Sequence, residues 1–252
     1  MKKTVFLILC LSGMWGGLLA QPADSIWYGA GEAYAQGRYQ EALERYTRIH
    51  EQGLESAALY YNMGNCAFKL QQYAGAILWF ERAKLLDPLN ADILYNLDLA
   101  NRFCLDKIDV LPAFFVQTWI RLVRDRFSAD RWAWGALFFL AGTAALLLLF
   151  FFGRSRNGRR LAFVGALFAG LLCVGAFSFG WSQKVRQQHR EYAVVFVPVA
   201  SVKSAPDQQG KDLFIIHEGT KVRIMDQVGA WGRIELADGR QGWMEVKQVE
   251  RI

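Results

Sequence analysis

Two uninterrupted apolar stretches near the middle of the chain constrain its fold more than any other feature. The first runs from Ala133 to Phe152 and the second from Leu161 to Trp181, and neither contains a charged residue. Each is long enough to cross about 30 Å of hydrocarbon as an α-helix. Because only the eight residues 153–160 separate them, the sequence predicts a transmembrane hairpin with spans at 133–152 and 161–181, whose outer ends lie on the same side of the membrane.

The basic charge of the chain is concentrated beside these stretches. Four of the eight residues at 153–160 are arginine, whereas residues 21–105 carry ten acids against seven bases and residues 197–252 carry eight of each. Short arginine-rich loops between spans are typically cytoplasmic, so we expect 153–160 to be a cytoplasmic loop. Since neither soluble part has a basic excess, the net charge of +6 does not indicate a nucleic-acid partner.

The N-terminus has the features of a signal peptide over residues 1–20. Two lysines precede the apolar run Val5–Leu11, and the small residue Ala20 stands at the expected cleavage site. The alternative is that the segment is retained as a third span. A signal peptide sends the residues that follow it across the inner membrane of a bacterium, and the hairpin returns the C-terminal residues to the same compartment. We therefore expect the N-terminal and C-terminal modules to lie in the periplasm.

Two connecting segments flank the hairpin, an amphipathic linker at 106–131 and a second linker at 182–195. In the first, large apolar residues such as Trp119 alternate with Arg121 and Arg124. One interpretation is a helix that lies in the membrane interface, with Trp119 at the depth of the lipid headgroups. The other is a linker helix that packs on the preceding domain.

The first hundred residues contain a repeat with a period of 34 residues. The recurring positions are Tyr39 as Tyr73, Ala42 as Ala76, Tyr46 as Phe80, Tyr61 as Tyr95 and Asn62 as Asn96. A period of this length is typical of stacked helix pairs. We predict an α-helical array over 23–105, with repeats at 23–56 and 57–90 and a capping helix at 91–105.

The second copy resembles the tetratricopeptide repeat family. It opens with Tyr60–Asn65, and Pro88 ends its second helix. The resemblance implies a concave groove that binds extended peptides or partner helices. By the same resemblance, the residues that line this groove are Trp27, Tyr34, Tyr61, Asn62, Asn65, Phe68, Lys69, Tyr95 and Asn96. The alternative is that these side chains only pack and solvate the repeats.

From residue 196 to residue 252 the helical period is lost and short β-rich runs alternate with turn residues. The pair Asp238-Gly239 is a strong hairpin-turn signal, and about five strands predict a small all-β barrel. The runs around Glu218–Val222 and Trp231–Ile234 resemble bacterial SH3-like domains, which implies binding of cell-wall peptides or proteins. Trp231 is expected to line such a groove or to pack in the core, and Trp243 is expected in the core.

No arrangement of residues in the sequence points to catalysis. His50, His189 and His217 have no nucleophile or carboxylate at a recognisable spacing, and the sequence has neither a phosphate-binding glycine loop nor a CxxC pair. We therefore predict a protein that is not an enzyme and that holds no metal and no cofactor. Cys66 and Cys104 fall on apolar helical faces, where packing as free thiols is expected and a disulfide is the alternative.

The order of these modules is similar to that of the E component of the Bacteroides aerotolerance operon (BatE-like proteins). That resemblance implies a periplasmic protein-protein interaction scaffold, linked to oxidative stress, whose partners are membrane proteins with von Willebrand factor A domains. The predicted fold is thus a multidomain membrane protein with α-helical repeats, a two-helix transmembrane hairpin and a C-terminal SH3-like barrel. The alternative function is a sensor or accessory factor that binds the cell wall through the SH3-like domain.

Overall fold

A computed structural model describes residues 23–108, 115–188 and 191–252 of the chain. The predicted signal peptide at 1–20 and His189 lie outside the described residues, as does part of each predicted linker. The structure divides into two compact units, of which the first ends at Leu54 and the second begins at Glu55.

The first unit is a pair of helices, α1 (Ala23–Ala35) and α2 (Tyr39–Glu51). Gly37 adopts a φ of 77° in the turn between them, a conformation that glycine reaches without steric cost. The helices approach closely because the side chains of Ala30, Ala33 and Ala42 are small and fully buried. Both helices lie within the predicted first repeat at 23–56.

The second unit opens with three helices, α3 (Ala57–Lys69), α4 (Tyr73–Leu86) and α5 (Ala91–Asn101). Ser56 caps α3, because its hydroxyl accepts a hydrogen bond from the backbone N–H of Leu59. Asn90 caps α5 in the same way, with its side chain accepting from two backbone N–H groups. These helices correspond to the predicted second repeat and capping helix.

The next three helices are α6 (Phe115–Asp125), α7 (Ala129–Phe152) and α8 (Arg156–Gln188). Helices α7 and α8 pack against each other along their length and run antiparallel, since Trp132 contacts Phe179 at one end and Phe150 contacts Phe163 at the other. The turn is shorter than predicted, because α8 already begins at Arg156. Helix α8 also continues through much of the segment predicted as a linker at 182–195.

Helices α7 and α8 are apolar on their outer surfaces as well as between them. By length and composition, Ala129–Phe152 and Arg156–Val185 are each able to cross a membrane. Large side chains such as Phe138, Phe152 and Leu171 are exposed, whereas an apolar helix in the core of a soluble protein has its side chains covered.

The C-terminal residues form one antiparallel sheet. Its strands are β1 (Tyr192–Val195), β2 (Val199–Lys203), β3 (Asp212–His217), β4 (Lys221–Val228), β5 (Trp231–Glu235), β6 (Gln241–Glu245) and β7 (Val249–Arg251). The strand order is β3-β2-β6-β5-β4-β1-β7. The all-β prediction is confirmed, but the sheet has seven strands instead of five, begins before residue 196, and keeps β3 and β7 as open edges.

The sheet buries one face, with Val195, Val202, Ile216, Ile234 and Met244 among its core residues. Side chains alternate between the two faces along a strand. Met244 and Gly242 point inward on β6, so their neighbour Trp243 points outward and is half-buried. The prediction that Trp243 belongs to the core is therefore wrong, because the register of β6 places it on the other face.

We predict opposite effects for two glycine substitutions in the second unit. A Cβ at Gly64 would lie 2.5 Å from Cε1 of Phe80, whereas at Gly75 the nearest atom, Cβ of Ala67, would lie at an ordinary 3.7 Å. Gly64→Ala should destabilise the helix pair by about 1 kcal/mol, since overpacking outweighs the helix propensity gained. Gly75→Ala should stabilise it by roughly 0.5 to 1 kcal/mol.

The measurement is amide hydrogen exchange of residues 57–86 in the full chain. Faster exchange in the Gly64 variant and slower exchange in the Gly75 variant are expected. Equal protection in both variants would contradict the close packing of α3 on α4.

Candidate functional site

Helices α3 and α5 share a surface that we call the repeat face, made of Tyr61, Asn62, Asn65, Lys69, Tyr95 and Asn96. The first four residues lie on one side of α3, because they follow the spacing of successive helical turns. Tyr95 and Asn96 lie on α5, one repeat period further along the chain. The structure therefore brings together six of the residues that the sequence predicted for a groove.

The centre of the repeat face is a hydrogen-bonded triad that joins α5 to α3. The Nδ2 group of Asn96 donates to the Tyr61 hydroxyl over 3.0 Å and to Oδ1 of Asn65 over 2.9 Å. All three side chains are half-buried, and unpaired polar groups at such sites are costly. These three residues therefore fix the spacing of the two helices as well as lining their surface.

The rest of the repeat face is free for a ligand. Tyr95 is 67% exposed, Lys69 is exposed and Asn62 is half-buried. Within the part of the chain that the structure describes, the side chains of Asn62 and Lys69 take part in no hydrogen bond or ion pair. An aromatic ring, an amide and an ammonium group on one surface can hold an extended peptide through its side chains, its backbone and its acidic groups.

Three aromatic residues predicted for the groove take part in packing contacts. Phe68 contacts the rings of Tyr73 and Phe103 at 5.7 Å and 5.6 Å in edge-to-face geometry. In the first unit, Trp27 packs edge-on against Tyr46 and Tyr34 against Tyr39. Such pairs stabilise the helix packing beyond the area that they bury.

Sequence reasoning missed a second feature, a contact between α4 and the C-terminal sheet that we call the docking contact. Val194 of β1 and the terminal Ile252 are buried in the same apolar cluster as Ile77, Phe80 and Leu97. The repeat module and the sheet therefore share one hydrophobic core. The sequence signal was present, because α4 is apolar on almost all sides, and such helices are covered all round.

Two charged side chains of α4 are buried at the docking contact and are paired across it. The Glu81 carboxylate lies 2.7 Å from Nζ of Lys221. Nη2 of Arg82 donates to Oε1 of Glu250 at 3.2 Å and to the backbone carbonyl of Arg251 at 2.5 Å. Buried charges are tolerated only when they are paired and hydrogen-bonded, so these contacts select one way of docking the sheet.

A second part of the docking contact follows α5, where Asp106 meets the turn between β3 and β4. Its carboxylate accepts hydrogen bonds from the backbone N–H of His217 at 2.6 Å and from the Thr220 hydroxyl at 2.6 Å, and lies 2.8 Å from Nδ1 of His217. Burial alone raises the pKa of Asp106, but the hydrogen bonds from Thr220 and His217 outweigh it, so the pKa lies below its usual range.

Beside Asp106, the segment that follows α5 lies very close to the turn between β3 and β4. Gly219 has a φ of 87°, and a Cβ there would lie 2.4 Å from Sγ of Cys104. Ile108 packs against the core of the sheet. The segment from Cys104 to Ile108 thus attaches the repeats to the turn between β3 and β4 and to the core of the sheet.

The cysteines of the second unit are thiols in the structure. Cys66 is fully buried in α3, and burial raises its pKa to about 12. Burial also raises the pKa of Cys104. Both thiols are therefore protonated at neutral pH and pack as small apolar groups.

The described residues offer little to a metal ion. Across 23–108, 115–188 and 191–252, no three His, Cys, Asp or Glu side chains are grouped so that they could hold one. His217 has a carboxylate partner in Asp106, which sequence spacing did not indicate because 111 positions separate them. The hydrogen bonds between these two residues join the repeats to the C-terminal sheet.

The helices that carry the repeat face are tetratricopeptide repeats. Residues 22–96 match the tetratricopeptide repeat family, in agreement with the helix pairs and the 34-residue period. This match indicates a protein-binding class of module, and it covers helices α1 to α4 and the first six residues of α5.

Two curated relatives carry a similar stretch. The BBSome complex member BBS4 of Bos taurus is 38% identical over 65 residues, which is 26% of this chain and 12% of that protein. The BBSome complex member BBS4 homolog of Drosophila melanogaster is 41% identical over 58 residues, 23% of this chain and again 12% of the relative. The chain therefore spans only about an eighth of the length of these proteins.

The Asp106 hydrogen bonds predict a pH-dependent docking contact. Because the pKa of Asp106 is lowered in the folded state, its contribution is complete above the unfolded pKa near 4 and is lost as the pH falls below it. Asp106→Asn should lower the stability by about 1 to 3 kcal/mol at pH 7. The difference from wild type should shrink toward pH 3.

Thermal unfolding of the full chain in detergent, followed by circular dichroism, measures both effects. Glu218→Gln is the matched control, since it removes an exposed carboxylate two residues from Thr220 and should change little at any pH. A pH-independent difference between Asp106→Asn and wild type would contradict the assigned role of the carboxylate.

Proposed function

We propose that this protein is a membrane-anchored, non-catalytic scaffold that binds a protein partner on its repeat face. The observation that carries the proposal is the pair of exposed residues Lys69 and Tyr95 beside the half-buried Asn62. They are held on a framework that the Asn96 triad and the docking contact fix in place. A preformed surface of this kind binds without a large ordering cost. The tetratricopeptide repeats indicate the type of ligand, a protein segment.

In this proposal α7 and α8 cross the membrane as a hairpin. The docking contact supports an even number of crossings, because Glu81 and Arg82 precede the two helices in the chain, whereas Lys221 and Glu250 follow them. Residues that touch must lie in the same compartment. The four arginines in residues 153–160 favour the cytoplasm for the turn, which leaves both modules in the periplasm at the inner membrane.

For the partner we propose a membrane protein that carries a von Willebrand factor A domain, in a complex for aerotolerance and oxidative-stress resistance. This part rests on the resemblance of the module order to BatE-like proteins, including an SH3-like character for the C-terminal sheet. The relatives with a similar stretch are named as members of the BBSome complex, and a role as one subunit of an assembly agrees with that.

Lys69→Glu combined with Tyr95→Ala should reduce partner capture by at least about tenfold, because it reverses the charge and removes the exposed ring of the repeat face. The measurement is crosslinking of the full chain in intact cells, followed by mass spectrometry of the captured membrane proteins. Lys211→Glu makes the same charge change on an exposed loop of the C-terminal sheet and should leave capture unchanged.

Asn65 and Asn96 are unsuitable for this test, since their loss would also disturb the packing of α5 on α3. Undiminished capture by the Lys69 and Tyr95 variant would refute the proposed surface. Capture that lacks any protein with a von Willebrand factor A domain would refute the proposed partner and leave the surface intact.

The hairpin topology has a test of its own. A reporter that is active only in the periplasm should be inactive when it is fused after Arg156 and active when it is fused after Gly210. Opposite signals are expected because a single span lies between the two fusion points. Matching signals would refute the proposed topology.

A second candidate function is binding of the cell wall, favoured by two outward-facing tryptophans on the sheet. The Cα register places Trp231 opposite Glu245 and Trp243 opposite Arg233 on the adjacent strands β5 and β6. Both rings are half-buried, which leaves part of each for a ligand. Co-sedimentation of the full chain with purified sacculi, lost on Trp231→Ala, would support this function over the scaffold if the repeats capture no protein.

A further inference from the structure

Helix α6 has an apolar side that the described structure leaves uncovered. At 3.6 residues per turn, its apolar residues occupy one arc of about 160°. They are Phe115, Val116, Trp119, Ile120, Leu122 and Val123. Thr118, Arg124 and Asp125 fall on the other side. Phe115 is 79% exposed, Trp119 63% and Leu122 62%, so these side chains are not packed on the repeats.

The C-terminal end of α6 is fixed to the open end of the helical hairpin. The carbonyl of Arg124 accepts hydrogen bonds from Nε1 of Trp132 at 2.8 Å and from Nε2 of Gln183 at 3.1 Å. Gln183 also donates to the carbonyl of Phe127 at 2.9 Å and is itself buried. Helix α6 is therefore tied at once to the start of α7 and to the end of α8.

These hydrogen bonds fix the position of α6 relative to the ends of α7 and α8, and so limit what its apolar side can contact. In the proposed hairpin, Trp132 and Gln183 lie at the level where α7 and α8 leave the hydrocarbon. A helix attached there has the headgroup layer as its nearest neighbour. Its uncovered apolar side is thus continuous with the lipid-facing surface of the hairpin.

The charges at this end of the hairpin complement an anionic surface. Arg126, Arg131 and Lys184 are exposed. Arg124 is paired with Asp125 at 2.8 Å, and Asp130 is the exposed acid beside them. The excess of basic groups attracts anionic phospholipid headgroups.

We propose that α6 lies on the outer surface of the lipid bilayer, with Phe115, Trp119 and Leu122 inserted among anionic phospholipids. This inference rests on the proposed hairpin, and it adds a surface anchor that holds the repeats and the C-terminal sheet close to the membrane. An amphipathic helix with large apolar residues on one side and basic residues beside it is the form that binds such interfaces.

The test uses the full chain reconstituted in vesicles of phosphatidylcholine with phosphatidylglycerol, or of phosphatidylcholine alone. A fluorescent amino acid is introduced by codon suppression at Trp119 or, as the matched control on the other side of α6, at Thr118. Lipids brominated on their acyl chains quench the label only when it is inserted. A third label at Leu148 reports on the hairpin.

Quenching at position 119 should exceed that at position 118 by about twofold or more in anionic vesicles, and should fall in phosphatidylcholine alone. Equal quenching at the two positions, with position 148 quenched, would overturn the surface anchor while the hairpin stands, and would leave the apolar side of α6 to a protein partner. Quenching at 119 that is the same in both vesicles would overturn the anionic preference. No quenching at 148 would refute the hairpin.

Discussion

The docking contact between α4 and the C-terminal sheet is the constraint on which the rest of the second unit depends. Val194 and Ile252 complete an apolar cluster that the repeat helices form only in part. Glu81 and Arg82 make the orientation of the sheet specific, because each buried charge is paired in only one orientation. Apolar burial therefore drives the association of the two modules, and the ion pairs decide its geometry.

In the proposed topology, this contact also constrains how the repeats and the sheet are placed at the membrane. The chain leaves the repeats, passes through α7 and α8, and then forms the sheet that packs on α4 of the same repeats. A single span between the modules would separate Asp106 from His217 by a bilayer, whereas a hairpin lets them meet. The sheet leaves the repeat face uncovered, because it packs on α4 and on the segment that ends at Ile108.

The polar residues of the repeats divide into two groups with different physical roles. Asn96, Tyr61 and Asn65 use their hydrogen-bonding groups on one another, so their cost of burial is offset within the fold. Lys69 and Tyr95 are exposed and retain their capacity to contact another molecule. The family match does not separate these groups, since all five residues lie within the matched stretch 22–96.

The sequence alone determined the features that depend on local order. The length of the two apolar runs, the 34-residue period and the Asp238-Gly239 turn each act over a few tens of residues, and the helices, the repeats and the β-hairpin follow from them. The tertiary structure decided the rest. Asp106 and His217 are 111 positions apart and Arg82 and Glu250 are 168 apart, and no periodic pattern connects residues at such separations. Whether Trp243 faces the core and whether Asn65 is free for a ligand depend on strand register and helix packing, which only the folded chain fixes.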